Sequence, residues 1–188
     1  MSSADFAAGG AVRPAVPQDA PAIAAVHVAT WRDAYQGLLP DDFLAGLVVG
    51  EWADRWRGRL AAPVAGIFTL VFESGGRVRG FVSGGPDRLG LAGGEVFAIY
   101  VHPDCQGLGA GRRLLCAGAR CLAEAGLSEA RLWVLADNHP ARGFYESQGW
   151  RADGAEHAWP FDDTGRSVPE VRYVRDLPLP AAGPAQPA

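Results

Sequence analysis

The chain contains no lysine. Its 17 basic side chains are all arginine, set against 21 acidic ones for a net charge of −4. Without a side-chain ammonium there is no Schiff-base chemistry and no lysine clamp for a phosphate. A bound phosphate must be held by backbone N–H groups or by guanidinium. The acidic balance argues against duplex nucleic acid as a partner, because such binding needs a basic stripe. The pairs Arg57/Arg59 and Arg112/Arg113 are isolated. Cysteine is scarce: Cys105, Cys116 and Cys121 form neither an even set nor a Cys-x-x-Cys pair. That argues against a disulfide framework and a thiolate metal site. The histidines His27, His102, His139 and His157 are scattered, so no metal is expected. No apolar run approaches the ~20 residues that span a bilayer. The opening MSSADFAAGG has no basic segment followed by an apolar one. The expectation is a cytoplasmic protein with no membrane partner.

What remains is ordinary globular composition: 188 residues, 48% hydrophobic and 20% charged, enough for one domain with a core. Residues 1–10 read as a flexible N-terminus and 11–177 as the folded domain. Residues 178–188, PLPAAGPAQPA, read as a disordered tail.

Periodicity supplies the elements. Ala11 to Val16 reads as a strand. Asp19 caps a helix in which Ala24, Val28, Trp31 and Tyr35 recur at helical spacing, until Gly37. A second helix opens at Pro40 and runs to about Leu60. Ile67 to Glu73 and Val78 to Ser83 are strands joined by Ser74-Gly75-Gly76, a hairpin turn. Gly84 to Gly94 reads as a loop, and EVFAIYV from Glu95 to Val101 as a buried strand. Arg112 to Ala125 is an amphipathic helix, Arg131 to Ala136 a strand and Pro140 to Gln148 a short helix. Trp150 to Trp159 and Val168 to Arg175 form a closing antiparallel pair. The fold class is α+β, with one parallel crossover inside an otherwise antiparallel sheet.

The chemistry concentrates where the strand ending at Val101 meets the turn Gln106-Gly107-Leu108-Gly109-Ala110-Gly111 and the helix from Arg112. A helix start presents unpaired N–H groups and a positive dipole end, and glycines let a phosphate approach the backbone. The same glycines also serve a plain tight connection. A dinucleotide-binding unit of a nicotinamide-dependent oxidoreductase competes for this pattern, with Asp137 ending the next strand. Against it, His102 to Gln106 separate the strand from the first glycine, and Arg112 stands where that fingerprint wants glycine or alanine. The 26-residue gap from Gly111 to Asp137 also exceeds the ~20 of that fingerprint.

Gln106-x-x-Gly109-x-Gly111, following Ile99-Tyr100-Val101-His102-Pro103, resembles the acetyl-CoA signature of the GNAT N-acetyltransferase superfamily. Leu132 to Trp150 is similar to that family's strand, Asn and Phe-Tyr-x-x-x-Gly-Trp run, here Asn138 and Phe144-Tyr145 to Gly149-Trp150. Thr30 to Pro40 resembles its opening helices. The resemblance covers roughly Val12 to Arg175. It implies a mostly antiparallel sheet of about seven strands, about four helices, and a splay between the fourth and fifth strands. It implies acetyl-CoA as cosubstrate. Backbone groups of Gln106, Gly107, Leu108, Gly109, Ala110 and Gly111 would cradle the pyrophosphate near Arg112, and the backbone of Ile99, Tyr100 and Val101 would pair with the pantetheine arm. Asn138 and Tyr145 would sit near the thioester.

The expected reaction is direct attack of a neutral primary amine, from a small molecule or a peptide, on the acetyl carbonyl. A backbone N–H around Val101 is the expected oxyanion donor. Tyr145, protonated at neutral pH, is the candidate acid for the leaving sulfur, and Glu95 the candidate base. Trp31, Tyr35 and Asp33 are candidate acceptor contacts. A non-catalytic acyl-CoA sensor is the alternative from another class. The Trp159-Pro160-Phe161 segment reads either as a homodimer contact or as the closing of the sheet.

Overall fold

A computed structural model describes residues 9–178 of the chain. The expected flexible segment 1–10 and tail 178–188 lie almost wholly outside the described residues. Seven strands form one sheet in the order β1-β2-β3-β4-β5-β7-β6. They are β1 (Ala11–Pro14), β2 (Phe68–Ser74), β3 (Arg77–Pro86), β4 (Gly94–Val101), β5 (Glu129–Leu135), β6 (Arg151–Pro160) and β7 (Ser167–Asp176). The helices are α1 (Ala20–Ala34), α2 (Asp41–Ala45), α3 (Val49–Ala61), α4 (Ala110–Glu124) and α5 (His139–Ser147). Pairing is antiparallel except between β4 and β5. The α+β mixed sheet and the splay position match the sequence reading.

Several boundaries differ for local reasons. The helix expected from Pro40 to Leu60 is two helices, because Gly46 ends α2 and Val48 is extended before α3 begins. Among the described residues this makes five α-helices, against about four expected. Asp19 does not cap α1. Its carboxylate is taken by Arg13, at 2.7 Å, and by the backbone N–H of Val16. The loop expected from Gly84 is shorter, since β3 continues to Pro86, opposite Gly94 of β4. A bulge between Ser83 and Gly84 absorbs the extra residue, so Phe97 faces no partner in that ladder.

Strand alternation divides the apolar residues between two faces. On one face α4 and α5 cover Phe72, Val82, Leu132 and Tyr173. Helix α4 lies close to the sheet because it carries Gly118, where a Cβ would sit 3.2 Å from Val82 Cγ2. On the other face α1 and α3 cover Val71 and Phe81. There α1 and α2 also meet the last strands through Leu135, Trp159 and Phe161. Each fully buried Phe or Leu contributes about 1.5–3 kcal/mol relative to exposure. The Trp159-Pro160-Phe161 segment therefore closes the domain's own core. Phe161 is 9% exposed and its ring lies 5.0 Å from that of Phe43. Among the described residues no helix is long and apolar enough to cross a membrane, and no group of three or more His, Cys, Asp or Glu could hold a metal.

The second face contains a buried histidine. His27 packs against the rings of Trp52, Trp31 and Tyr100, and its Nδ1 accepts a hydrogen bond from Trp56 Nε1 at 3.3 Å. Burial, with the nearby Arg59 charge, holds its pKa down to about 3. The unfolded chain binds a proton below about pH 6.5 and the native state does not. Stability should therefore fall by about 1.4 kcal/mol per pH unit from about 6.5 towards 3. Urea unfolding of wild type and His27→Phe at pH 7 and pH 4.5 checks this. The variant is expected to lose a large part of the difference between the two pH values.

Candidate active site

Strands β4 and β5 pair at only two positions, Gly94 with Ala130 and Glu95 with Arg131. Beyond these they part. A cavity of about 470 Å³ fills the gap, walled by Val96 to Val101 on one side and Leu132 to Val134 on the other. The edge of β4 that turns away from β3 thus offers backbone groups to the cavity. At its far end the Val101 carbonyl is occupied, accepting from Thr30 Oγ1 at 3.1 Å and from Gln106 Nε2 at 3.3 Å.

The cavity floor continues into the glycine turn, through Gln106, Gly107, Gly109, Gly111 and Arg112. Gly107 and Gly109 have φ of 72° and 86°, a left-handed backbone that strongly favours glycine. Gly109 stands at the N-cap of α4 without a side-chain cap, and no acid lies in the first turn. The first intrahelical bond runs from Arg113 N–H to the Gly109 carbonyl. The N–H groups of Ala110, Gly111 and Arg112 precede it and suit an anion. Leu108 and Ala110 are not among the residues that line the cavity; their side chains pack into the core.

Asn138 is buried in the cavity wall and caps α5, its Oδ1 accepting from Ala141 N–H at 3.2 Å. That cap starts the short helix that carries Tyr145. Arg142 anchors the same helix by donating to the Ala136 carbonyl and to Tyr173 Oη. Tyr145 lines the cavity and is 8% exposed. Burial raises its pKa well above the usual tyrosine value, so its hydroxyl is protonated at neutral pH. Tyr35 and Tyr100 also line the cavity, with hydroxyls 3.4 Å apart, and burial raises both.

The other expectations fare differently. Ile99, Tyr100, Val101 and Tyr35 reach the cavity. Trp31 does not: it is buried in the aromatic core beneath Tyr35, with ring centroids 5.5 Å apart. Asp33 is exposed and outside the cavity wall. Glu95, expected as a base, is 2% exposed and also outside the wall. Arg88 donates to its Oε2 from the backbone N–H and to its Oε1 from the guanidinium. A carboxylate engaged on both oxygens is poorly placed to take a proton, and the placement makes Glu95 an anchor for the β3–β4 loop.

Sequence reading missed a different carboxylate. Glu170 of β7 stands opposite Leu135 of β5 and His157 of β6. Its Oε2 lies 3.0 Å from His157 Nε2. Burial and the Glu95 charge push its pKa up to about 7 against the opposing pull of Arg88. Alternation along β7 puts it on the face opposite Val171 and Tyr173, but nothing local distinguishes it from a solvated strand glutamate.

A family model described as the acetyltransferase (GNAT) family matches residues 29–150. The chain belongs to the GNAT acetyltransferase family. It is 40% identical over 138 residues to YuaI of Bacillus subtilis, described as an uncharacterized N-acetyltransferase, covering 72% of this chain and 77% of that one. It is 32% identical over 165 residues to a probable N-acetyltransferase of Mycobacterium tuberculosis, covering 86% and 91%. A solved structure of yncA from Salmonella typhimurium, described as a putative acetyltransferase with its cofactor acetyl-CoA, superposes with a TM-score of 0.67. It is 21% identical and covers 95% of this chain and all of that one, a likeness of fold. The GNAT assignment removes the dinucleotide reading of the glycine turn.

Removal of the Arg88 side chain would leave the buried Glu95 carboxylate with one backbone donor. Arg88→Ala is expected to cost about 1–3 kcal/mol in urea unfolding, and Glu95→Gln less than Arg88→Ala.

Proposed function

We propose that this GNAT protein transfers the acetyl group of acetyl-CoA to a primary amine of a small molecule or a peptide by direct attack. The observation that carries this reading is one continuous cavity. It joins an open strand edge to an uncapped, glycine-lined helix start. A pantetheine arm needs the first and a pyrophosphate the second, and the sequence offers no lysine for either. The yncA structure, which holds acetyl-CoA, shares the same fold.

In this reading acetyl-CoA supplies the activated acetyl group, and the chain binds, orients and moves protons. The first-turn N–H groups of α4 hold the pyrophosphate, with Arg112 at the rim. The free edge of Ile99 to Val101 aligns the arm as an added strand does. A β4 backbone N–H stabilises the charge that grows on the carbonyl oxygen. Tyr145 gives its proton to the departing sulfur. The amine enters from the side of α1, past Tyr35 and Thr30, which wall the cavity opposite α5. No enzyme nucleophile is required, and Cys105 is buried behind the turn with its thiol pKa raised by that burial.

Acetyl-CoA at about 100 times its dissociation constant should stabilise the fold by about 2.7 kcal/mol, and NAD should not. Release of CoA should follow when an amine panel is added. Tyr145→Phe is expected to lower kcat about 100-fold while leaving the acetyl-CoA-induced stabilisation intact. A stabilised protein that releases no CoA with any amine would favour the sensor over the transferase.

A further inference from the structure

The reaction must dispose of a proton before it can begin. A basic primary amine arrives at pH 7 as an ammonium and has no lone pair to attack with. Glu95 is engaged by Arg88, and Asp33 faces solvent. Glu170 is neither. Its partner His157 lays its ring on that of Trp133, with centroids 4.0 Å apart, and Trp133 is part of the cavity wall. Burial is the main reason that Tyr35 of the α1 end, Tyr100 of β4 and Tyr145 of α5 resist ionisation, and the Glu170 charge adds to it at all three of these cavity-wall residues.

We propose that Glu170, oriented by His157, meets the acceptor ammonium and takes its proton, which makes basic alkylamines the acceptor class of this site. The inference rests on the transferase reading above. The electrostatic surroundings suit the task. Burial and the Glu95 carboxylate raise the affinity of Glu170 for a proton, while Arg88 from the β3–β4 loop limits the rise. Burial and Arg88 hold the His157 ring towards its neutral form. The carboxyl group thus titrates close to neutrality, where a base is most effective.

The proton inventory closes. Glu170 accepts one proton from the ammonium and later releases it to solvent. The freed lone pair forms the C–N bond to the acetyl carbon, and the C–S bond breaks with its electron pair going to sulfur. Tyr145 protonates that sulfur, and the second proton leaving nitrogen restores Tyr145. The net products are the amide, the CoA thiol and one proton.

The test compares two acceptor series of similar shape with the full chain: alkylamines, which are ammonium ions at pH 7, and hydrazides, which are neutral there. For alkylamines, wild-type kcat/KM should climb along a limb centred near pH 7. Glu170→Gln should abolish that limb and lower kcat/KM about 100-fold, yet lower hydrazide transfer by less than about threefold. Its stabilisation by acetyl-CoA should be unchanged. Glu95→Gln should keep the limb but move it to lower pH, because it removes a carboxylate that raises the proton affinity of Glu170. His157→Gln, which retains a donor, should keep more alkylamine activity than His157→Leu. Equal losses for both acceptor series, or a limb that survives Glu170→Gln, would overturn the inference alone. A wild type that binds acetyl-CoA but transfers to neither series would overturn the transferase reading, and this inference with it.

Discussion

The structure depends on one interrupted strand pairing. After Glu95 and Arg131, β4 and β5 cease to exchange hydrogen bonds. Buried backbone groups left unpaired are costly, so such a gap persists only where water or a ligand satisfies them. Both flanks hold it open. β4 remains tied to β3, with Phe97 at the bulge, and β5 is tied to β7 over seven residues. The helices α4 and α1 cover opposite faces, so neither half can slide in to close the gap.

The two halves contribute different chemistry. The β4 half brings peptide groups, the glycine turn and α4, which together form a cradle of partial charges without a formal cation at its centre. The β5–β7 half brings side chains: Tyr145 on the helix after β5, Trp133 on β5 itself, and the His157–Glu170 pair. Arg88 and Glu95 sit near their meeting point and tie the β3–β4 loop down. Protonated tyrosines and a carboxyl group held near neutrality are both products of burial. The burial that surrounds the gap therefore also tunes the groups proposed to act there.

The fold was largely legible because its determinants are local. Alternation, glycine stops and the Gly75-Gly76 turn mark most elements in the sequence. The glycine turn was legible for the same reason, since positive φ at Gly107 and Gly109 leaves a sequence trace. Asn138 and Tyr145 were legible through family resemblance. The side chains that act across the sheet were not. Whether Glu95 faces the cavity or an arginine depends on a one-residue bulge between Ser83 and Gly84, and a shift of one residue reverses the face. Glu170 lies in β7, and its partners Leu135 of β5 and His157 of β6 are set by the sheet's register rather than by local sequence. Trp31 and Asp33 flank Arg32 in one helix, yet one is core and the other solvent, and helical spacing alone did not tell which of the α1 residues meets the cavity.

The arginine-only chemistry has a consequence of its own. Arg112 stands in the cavity wall and Arg88 beside the residues that flank it. A lysine at Arg112 would place a primary amine on the wall of the cavity proposed to hold acetyl-CoA. Guanidinium stays protonated and makes a poor nucleophile, yet it provides the same charge and more directional hydrogen bonds. Protein and acceptor are thereby kept chemically distinct: no side chain of this chain is an amine, so no side-chain amine can compete with the proposed acceptor for the acyl group.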